Sequence, residues 1–160
     1  MALNAYAELT ANGDILEGNT SVPHIADIDV SSDHIECFSV SWGSRLNTLS
    51  STRRRGRVTK LPVTLLKPID KSTPLLYQAM ATNQRIDGTV KIFDVDPESG
   101  VTRHFFTVKL ERATIISLES KSPNTLNSDT AASPPSEQVE LSAYTLTYID
   151  EINEIEYQQR

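Results

Sequence analysis

A chain of 160 residues is long enough for one domain with its own core, but 38% hydrophobic and 6% aromatic content is thin filling for it. The single cysteine, Cys37, excludes an internal disulfide, and no apolar run reaches the roughly 18 residues of a membrane-spanning helix. A net charge of −6 weighs against a general binder of nucleic acid, whose phosphates call for Lys and Arg.

Leu3, Ala5, Ala7 and Leu9 alternate along residues 2–10, which predicts a strand, and Asn12-Gly13 marks the turn after it. Residues 17–33 are polar and acidic around Pro23, so a loop is expected, with a short extended piece near Ala26 to Val30. A strand over 34–42 ends at Trp42, and Cys37 inside it reads as a buried, inert thiol. Residues 43–57 form a long polar hairpin between this strand and one over 57–66, whose Leu61, Val63 and Leu65 share a face. A helix is predicted over about residues 73–83. Thr73 fits the N-cap, Pro74 the first helical position, and Leu75, Leu76, Ala79 and Met80 an apolar stripe.

The second half reads as strands. Thr89 to Val95 precedes the turn Asp96-Pro97-Glu98-Ser99-Gly100. Residues 103–119 are one extended run, too long for an ordinary strand, so a bulge or bend is expected near Glu111 to Ala113. His104, Phe106, Val108 and Leu110 share one face before the bend, and Thr114, Ile116 and Leu118 share one after it. Residues 121–136, rich in Ser, Thr and Pro, predict a mobile surface loop. A last strand spans 137–149, and the acidic residues from Glu151 to Arg160 are expected to fray. The fold class is mainly β: a single domain over 1–160, built as a small antiparallel β-barrel or sandwich with one flanking α-helix.

Charge is segregated along the chain. Residues 1–44 carry seven carboxylates and no Lys or Arg, residues 45–121 carry fourteen cations and seven carboxylates, and residues 122–160 carry seven carboxylates and Arg160. On separate surfaces these segments would steer copies head to tail, whereas interleaved antiparallel strands would average them out. The sharpest cluster is Arg53, Arg54, Arg55 and Arg57 on the hairpin, with three readings: self-contact, a solvated tip, or a nucleic-acid contact. No set of aromatic side chains accompanies the cluster for base stacking.

No catalytic constellation is present in the sequence. G-x-S-x-G, H-E-x-x-H and a phosphate-binding Gly loop are all missing, and no cofactor is expected. His24, Asp27, Asp29, Asp33 and His34 do not have the spacing of a metal motif. Trp42, at a strand end, is expected to anchor the core or a subunit interface.

Two stretches carry a family resemblance. Ile69-Asp70-Lys71-Ser72-Thr73-Pro74 directly follows a strand, and Ile35-Glu36-Cys37-Phe38-Ser39-Val40-Ser41-Trp42-Gly43 runs into the long hairpin. Both resemble the Hcp (haemolysin-coregulated) proteins, which form the inner tube of type VI secretion systems, and the order of elements is similar over nearly the whole chain. Where some members carry a Gly-rich loop after Trp-Gly, this chain reads SRLNTLSSTRRRGR. The resemblance implies a homohexameric ring, rings stacked into a tube with help from the Arg53–Arg57 loop, and three kinds of partner: the sheath, the spike protein and small effector proteins in the lumen. It implies no membrane insertion. The N-terminus lacks the features of a cleaved signal peptide, so synthesis in the cytoplasm and export without such a signal are expected. The alternatives are a phage-like tail tube protein and a monomeric β-sandwich module holding an anionic partner through Arg53–Arg57.

Overall fold

The computed structural model describes residues 3–31, 33–48 and 56–160. In chain order the elements are β1 (Ala5–Ala11), β2 (Asp14–Ile15), β3 (His24–Ile25), β4 (Ile28–Asp29), β5 (Ile35–Cys37), β6 (Ser39–Ser41), β7 (Ser44–Leu46), β8 (Val58–Lys60) and β9 (Val63–Pro68). Then follow α1 (Ser72–Ala81), β10 (Ile86–Val95), β11 (Thr102–Lys121), β12 (Ser136–Asp150) and β13 (Ile155–Gln159). The described fold is thus mainly β, with one short helix.

One nine-stranded antiparallel sheet runs β2-β1-β10-β11-β12-β9-β6, with β5 also paired to β1 and β13 to β12. β5 joins β1 through Ala5↔Cys37. β6, one residue further on, joins β9 through Val40↔Leu65. The 35–41 segment therefore bridges both ends of the sheet and curls it into a barrel-like shell. The core inside includes Leu9, Ile35, Cys37, Leu65, Val108 and Leu141, all buried. Burial pushes the Cys37 thiol up to about 12, far from thiolate chemistry at neutral pH.

The acidic 17–33 region holds more structure than its composition predicts. β3 and β4 form a two-residue hairpin in which Ala26 (φ 47°) and Asp27 (φ 65°) take the left-handed turn. It covers a satellite cluster of Tyr6, Val30 and Phe93, where Tyr6 meets Phe93 edge-on at 5.8 Å.

The helix starts one residue earlier than predicted, and Thr73 does not cap it. Thr73 Oγ1 instead accepts a bond from the Asp70 N–H at 3.1 Å and donates to Glu137 at 2.8 Å. The buried face is Ser72, Leu76 and Ala79, while Leu75 and Met80 of the predicted stripe stay largely exposed. The face that meets the sheet follows i, i+4, i+7 from Ser72, so a small polar residue leads the stripe.

β11 is continuous over 20 residues. Its pairing with β10 shifts between Ile86↔Ala113 and Gly88↔Leu110, and Arg112 there takes φ 52°. Each such bulge inserts a residue and reverses the inward phase. Buried Val108 and Leu110 therefore give way to buried Ala113 and Ile115. This corrects the predicted face after the bend: Thr114 and Ile116 point outward, and a second shift between Ile115 and Ser117 turns Leu118 back towards the core.

The C-terminal residues also depart from expectation. Ile155–Gln159 form β13, paired with β12 from Leu146↔Gln159 to Asp150↔Ile155. Alternation of Ile155, Tyr157 and Gln159 with Glu156 and Gln158 is the period-2 signal, weakened by high polarity.

Candidate functional site: a basic cleft at the hairpin root

β7 and β8 pair through Ser44↔Lys60, Arg45↔Thr59 and Leu46↔Val58, and so form the root of the hairpin predicted over 43–57. The Leu61 N–H donates to the Gly43 carbonyl at 2.8 Å and continues the ladder outward. Gly56 crosses so close to Asn47 that an added Cβ would lie 1.1 Å from its carbonyl oxygen, which makes glycine obligatory there. The root is tethered to the end of β13: Ser44 Oγ and the Gln159 side-chain amide lie 3.0 to 3.1 Å apart. Tyr148, from β12, also donates to Gln159 Oε1 at 2.8 Å.

β12 explains why a cleft opens beside this root. Its outer edge pairs with β9 as far as Leu141 and with β13 from Leu146. Residues 142–145 between them face neither strand. Lys60 reaches into this gap and donates its ammonium to the Tyr144 carbonyl. Partial burial pulls the pKa of Lys60 below the usual lysine value. From the other side, the β11 bulge aims Arg112 at the same place. Its guanidinium lies 5.0 Å from the centre of the Tyr144 ring, and Lys60 Nζ lies 5.9 Å from it. The resulting cleft has a volume of about 900 Å3 and is lined by Arg57, Lys60, Arg112, Arg160, Tyr144 and Leu61, among others, with no Asp or Glu side chain in the lining. None of these four cations forms a salt bridge with a described residue.

Elsewhere the segregated charges do interleave. Lys91 pairs with Glu8 at 3.1 Å, Lys71 with Glu17 at 3.5 Å, and Lys67 with both Asp70 and Glu137. Cations of the middle segment thus neutralise carboxylates of both flanks. At the hairpin root the described cations of the cleft take no part in that cancellation.

Of the residues predicted to matter, Arg57 lies on the cleft rim, and Arg53, Arg54 and Arg55 lie outside the described residues. Trp42 is half-buried, packed on the core with its ring stacked on Phe106 at 5.7 Å and 10°. Lys60, Arg112 and Arg160 were not singled out from sequence. For Arg112 a signal existed, because the predicted bend at Glu111 to Ala113 contains it. In the acidic-histidine segment His34 Nε2 meets Lys91 Nζ at 2.8 Å, and among the described residues no three metal-ligating side chains converge. Among the same residues no helix is long and apolar enough to cross a membrane.

The family model for the "Type VI secretion system effector, Hcp" matches residues 18–148. The chain belongs to the Hcp family. It is therefore a tube protein of the type VI secretion system. Solved structures share the fold. A crystal structure of an Hcp protein matches with a TM-score of 0.82 at 22% identity, covering 98% of this chain and 96% of that one. A mutant form of Hcp1 from E. coli EAEC 042 gives 0.80 at 22%, covering 99% and 98%. The secreted protein Hcp3 from Pseudomonas aeruginosa gives 0.73 at 16%, covering 98% and 96%. No sequence among curated proteins matches the chain.

Proposed function

We propose that this Hcp-family chain works as a homohexameric ring that stacks on other such rings to build the inner tube of a type VI secretion apparatus. The observation that carries this is the family match over residues 18–148 together with a fold shared along almost all of the chain. The surface supports it. A heterologous contact between identical copies closes into a ring when its rotation closes. β13 is an edge strand whose Ile155 and Tyr157 are more than half exposed, a liability on a monomer that a neighbouring copy would cover. The cations of the hairpin root form no salt bridge with a described residue, which leaves their charge available to another copy.

The work proposed is structural, without a catalytic step or cofactor. The sheath outside, the spike protein at the tip and small effector proteins in the lumen are the partners. The chain leaves the cell through its own apparatus. Trp42 anchors the core beside the ring contact, and Arg53, Arg54, Arg55 and Arg57 dock one ring on the next.

Light scattering coupled to size exclusion tests the ring directly, with a particle of about six copies expected. A single copy at high micromolar concentration, with no annular particles under the electron microscope, overturns it. Arg53→Glu, Arg54→Glu and Arg55→Glu together should weaken stacking while single rings persist. Rings that fall apart, or long tubes formed unchanged, would show that the loop has another role.

A further inference from the structure

We propose that the basic cleft at the hairpin root receives the acidic turn between β12 and β13 of a second copy, with Glu154 and Glu156 entering among Arg57, Lys60, Arg112 and Arg160. This deepens the ring reading above and rests on it. Three properties of the turn fit the cleft.

The first is charge. Asp150 and Glu151 are occupied inside the chain: Asp150 accepts bonds from the Ile152 and Asn153 N–H groups at 3.0 and 3.1 Å, and Glu151 accepts from Thr107 at 2.7 Å. Glu154 and Glu156 are exposed and form no salt bridge with a described residue. The cleft has the opposite imbalance, four cationic side chains and no Asp or Glu. Matching two unpaired sets is what complementary association requires.

The second is apolar content. Ile155 is 64% exposed and Tyr157 67%, beside Ile152 at 49%. The cleft offers Leu61, Val58 and the 57%-exposed ring of Tyr144. The contact therefore has apolar surface to bury as well as charge to pair.

The third is stiffness. The Asp150 side chain braces the turn through Asn153 Nδ2 at 2.8 Å, and β13 fixes its other limb. A braced turn loses little conformational freedom on docking.

One copy cannot satisfy itself. The turn lies at the Ile155 end of β13 and the cleft beyond the other end, at Arg160, five residue steps away, or ~17 Å of extended strand. The contact must pass between copies and is head-to-tail, the kind that closes a ring or continues a stack. A phosphate polymer is the competing occupant, and the protein's net charge of −6 opposes it.

Charge exchange tests this. Arg112 and Arg160 are both exposed, and neither side chain holds the fold through a hydrogen bond to a described residue. The cleft variant Arg112→Glu with Arg160→Glu, and the turn variant Glu154→Lys with Glu156→Lys, should each weaken self-association at least ~10-fold by light scattering across a dilution series. All four changes in one chain should restore it, and mixing the two variants should give mixed oligomers. Circular dichroism of every variant should match the wild type, so that weaker association is not a loss of fold. Oligomers unaffected by either reversal overturn the proposal, as does a folded four-fold variant that stays dissociated. Wild-type protein that binds polyphosphate through Arg112 without self-association also overturns it. Wild-type protein that is monomeric removes the ring reading itself, an outcome distinct from all of these.

Discussion

The foot of α1 and the root of the β7–β8 hairpin are both built around lysine and arginine, and they treat charge in opposite ways. At the foot, Lys67 is fully buried and its ammonium meets Asp70 at 3.0 Å, the Pro68 carbonyl at 2.8 Å and Glu137. Glu137, also buried, takes further bonds from Thr73 and Ser120, and Ser120 meets Tyr77 at 2.8 Å. Burial opposes ionisation of Asp70, but bonds from Ser72, Asn19 and Lys67 outweigh it and hold its pKa below the usual carboxylate value. At the root, Lys60 and Arg112 flank the Tyr144 ring, Arg57 and Arg160 line the same cleft, and none of them forms a salt bridge with a described residue. The difference separates two roles. Charges matched inside the chain fix the fold, and charges left unmatched on a formed surface are available to another molecule. Changes at the foot should therefore alter folding, and changes at the root should alter association.

The largest effect should come from breaking the foot on one side. Glu137→Ala leaves the Lys67 ammonium buried without its main partner, which costs about 3–5 kcal/mol in urea unfolding. Lys67→Met with Glu137→Leu removes both charges and should recover much of that loss, since the two residues are directly coupled. A double variant as unstable as Glu137→Ala would mean that the remaining bonds to Thr73 and Ser120, and not the ion pair, organise the helix start.

Acidification separates the regions next. His34 is held below the ordinary imidazole value by burial and then by Lys91, and burial does the same to His104. The unfolded chain takes up protons at these positions before the folded one does. Stability is therefore intact above about pH 6.5 and falls as pH drops towards the lowered folded values, by at most about 1.4 kcal/mol per pH unit for each group. The carboxylates follow at lower pH: Asp70 at the foot, and Glu36, which is held separately by Asn4 and Ser21, are both lowered in the fold and lose their contribution only as pH falls through the carboxylate range. The His34→Gln and His104→Gln pair should flatten the first fall of the melting temperature and leave the second. If the first fall persists in that variant, the histidines are not its source.

The two regions also differ in how far they can be read from sequence. The helix is legible because proline's tolerance of the first turn and the apolar spacing are local signals, although Thr73 is not its cap and Pro74 sits two positions inside its start. The buried lysine was readable too: Val63, Leu65 and Lys67 share a phase in β9, and the burial alternates in step with them. What hid it is the general rule that lysine stays in water, which only the distant Glu137 overrides. The cleft depends on less visible causes. Arg112 is placed by a bulge, Lys60 by a gap in strand pairing at 142–145, and Arg160 by a terminal strand whose Glu and Gln content masks its alternation. Each is set by pairing between segments far apart in sequence, and a slip of one residue would turn Arg112 away from Tyr144.

The smallest effect asks whether foot and root are one unit. Gln159→Ala removes the tether from β13 to Ser44 and to Tyr148. The site is largely exposed, so the expected loss is about 0.5–1.5 kcal/mol. Its location matters more than its size. Amide exchange should quicken in β7, β8 and β13, where the tether acts, and stay unchanged in β9 and at the start of α1. Local opening of that kind would mark the hairpin root as a low-stability element carried on a rigid frame, able to adjust to a neighbour without loosening Lys67. Exchange that quickens equally in β9 would instead join the regions through β12, which pairs with β9 at one end and β13 at the other. Any mutation that weakens association would then need a stability control before it could be assigned to the contact.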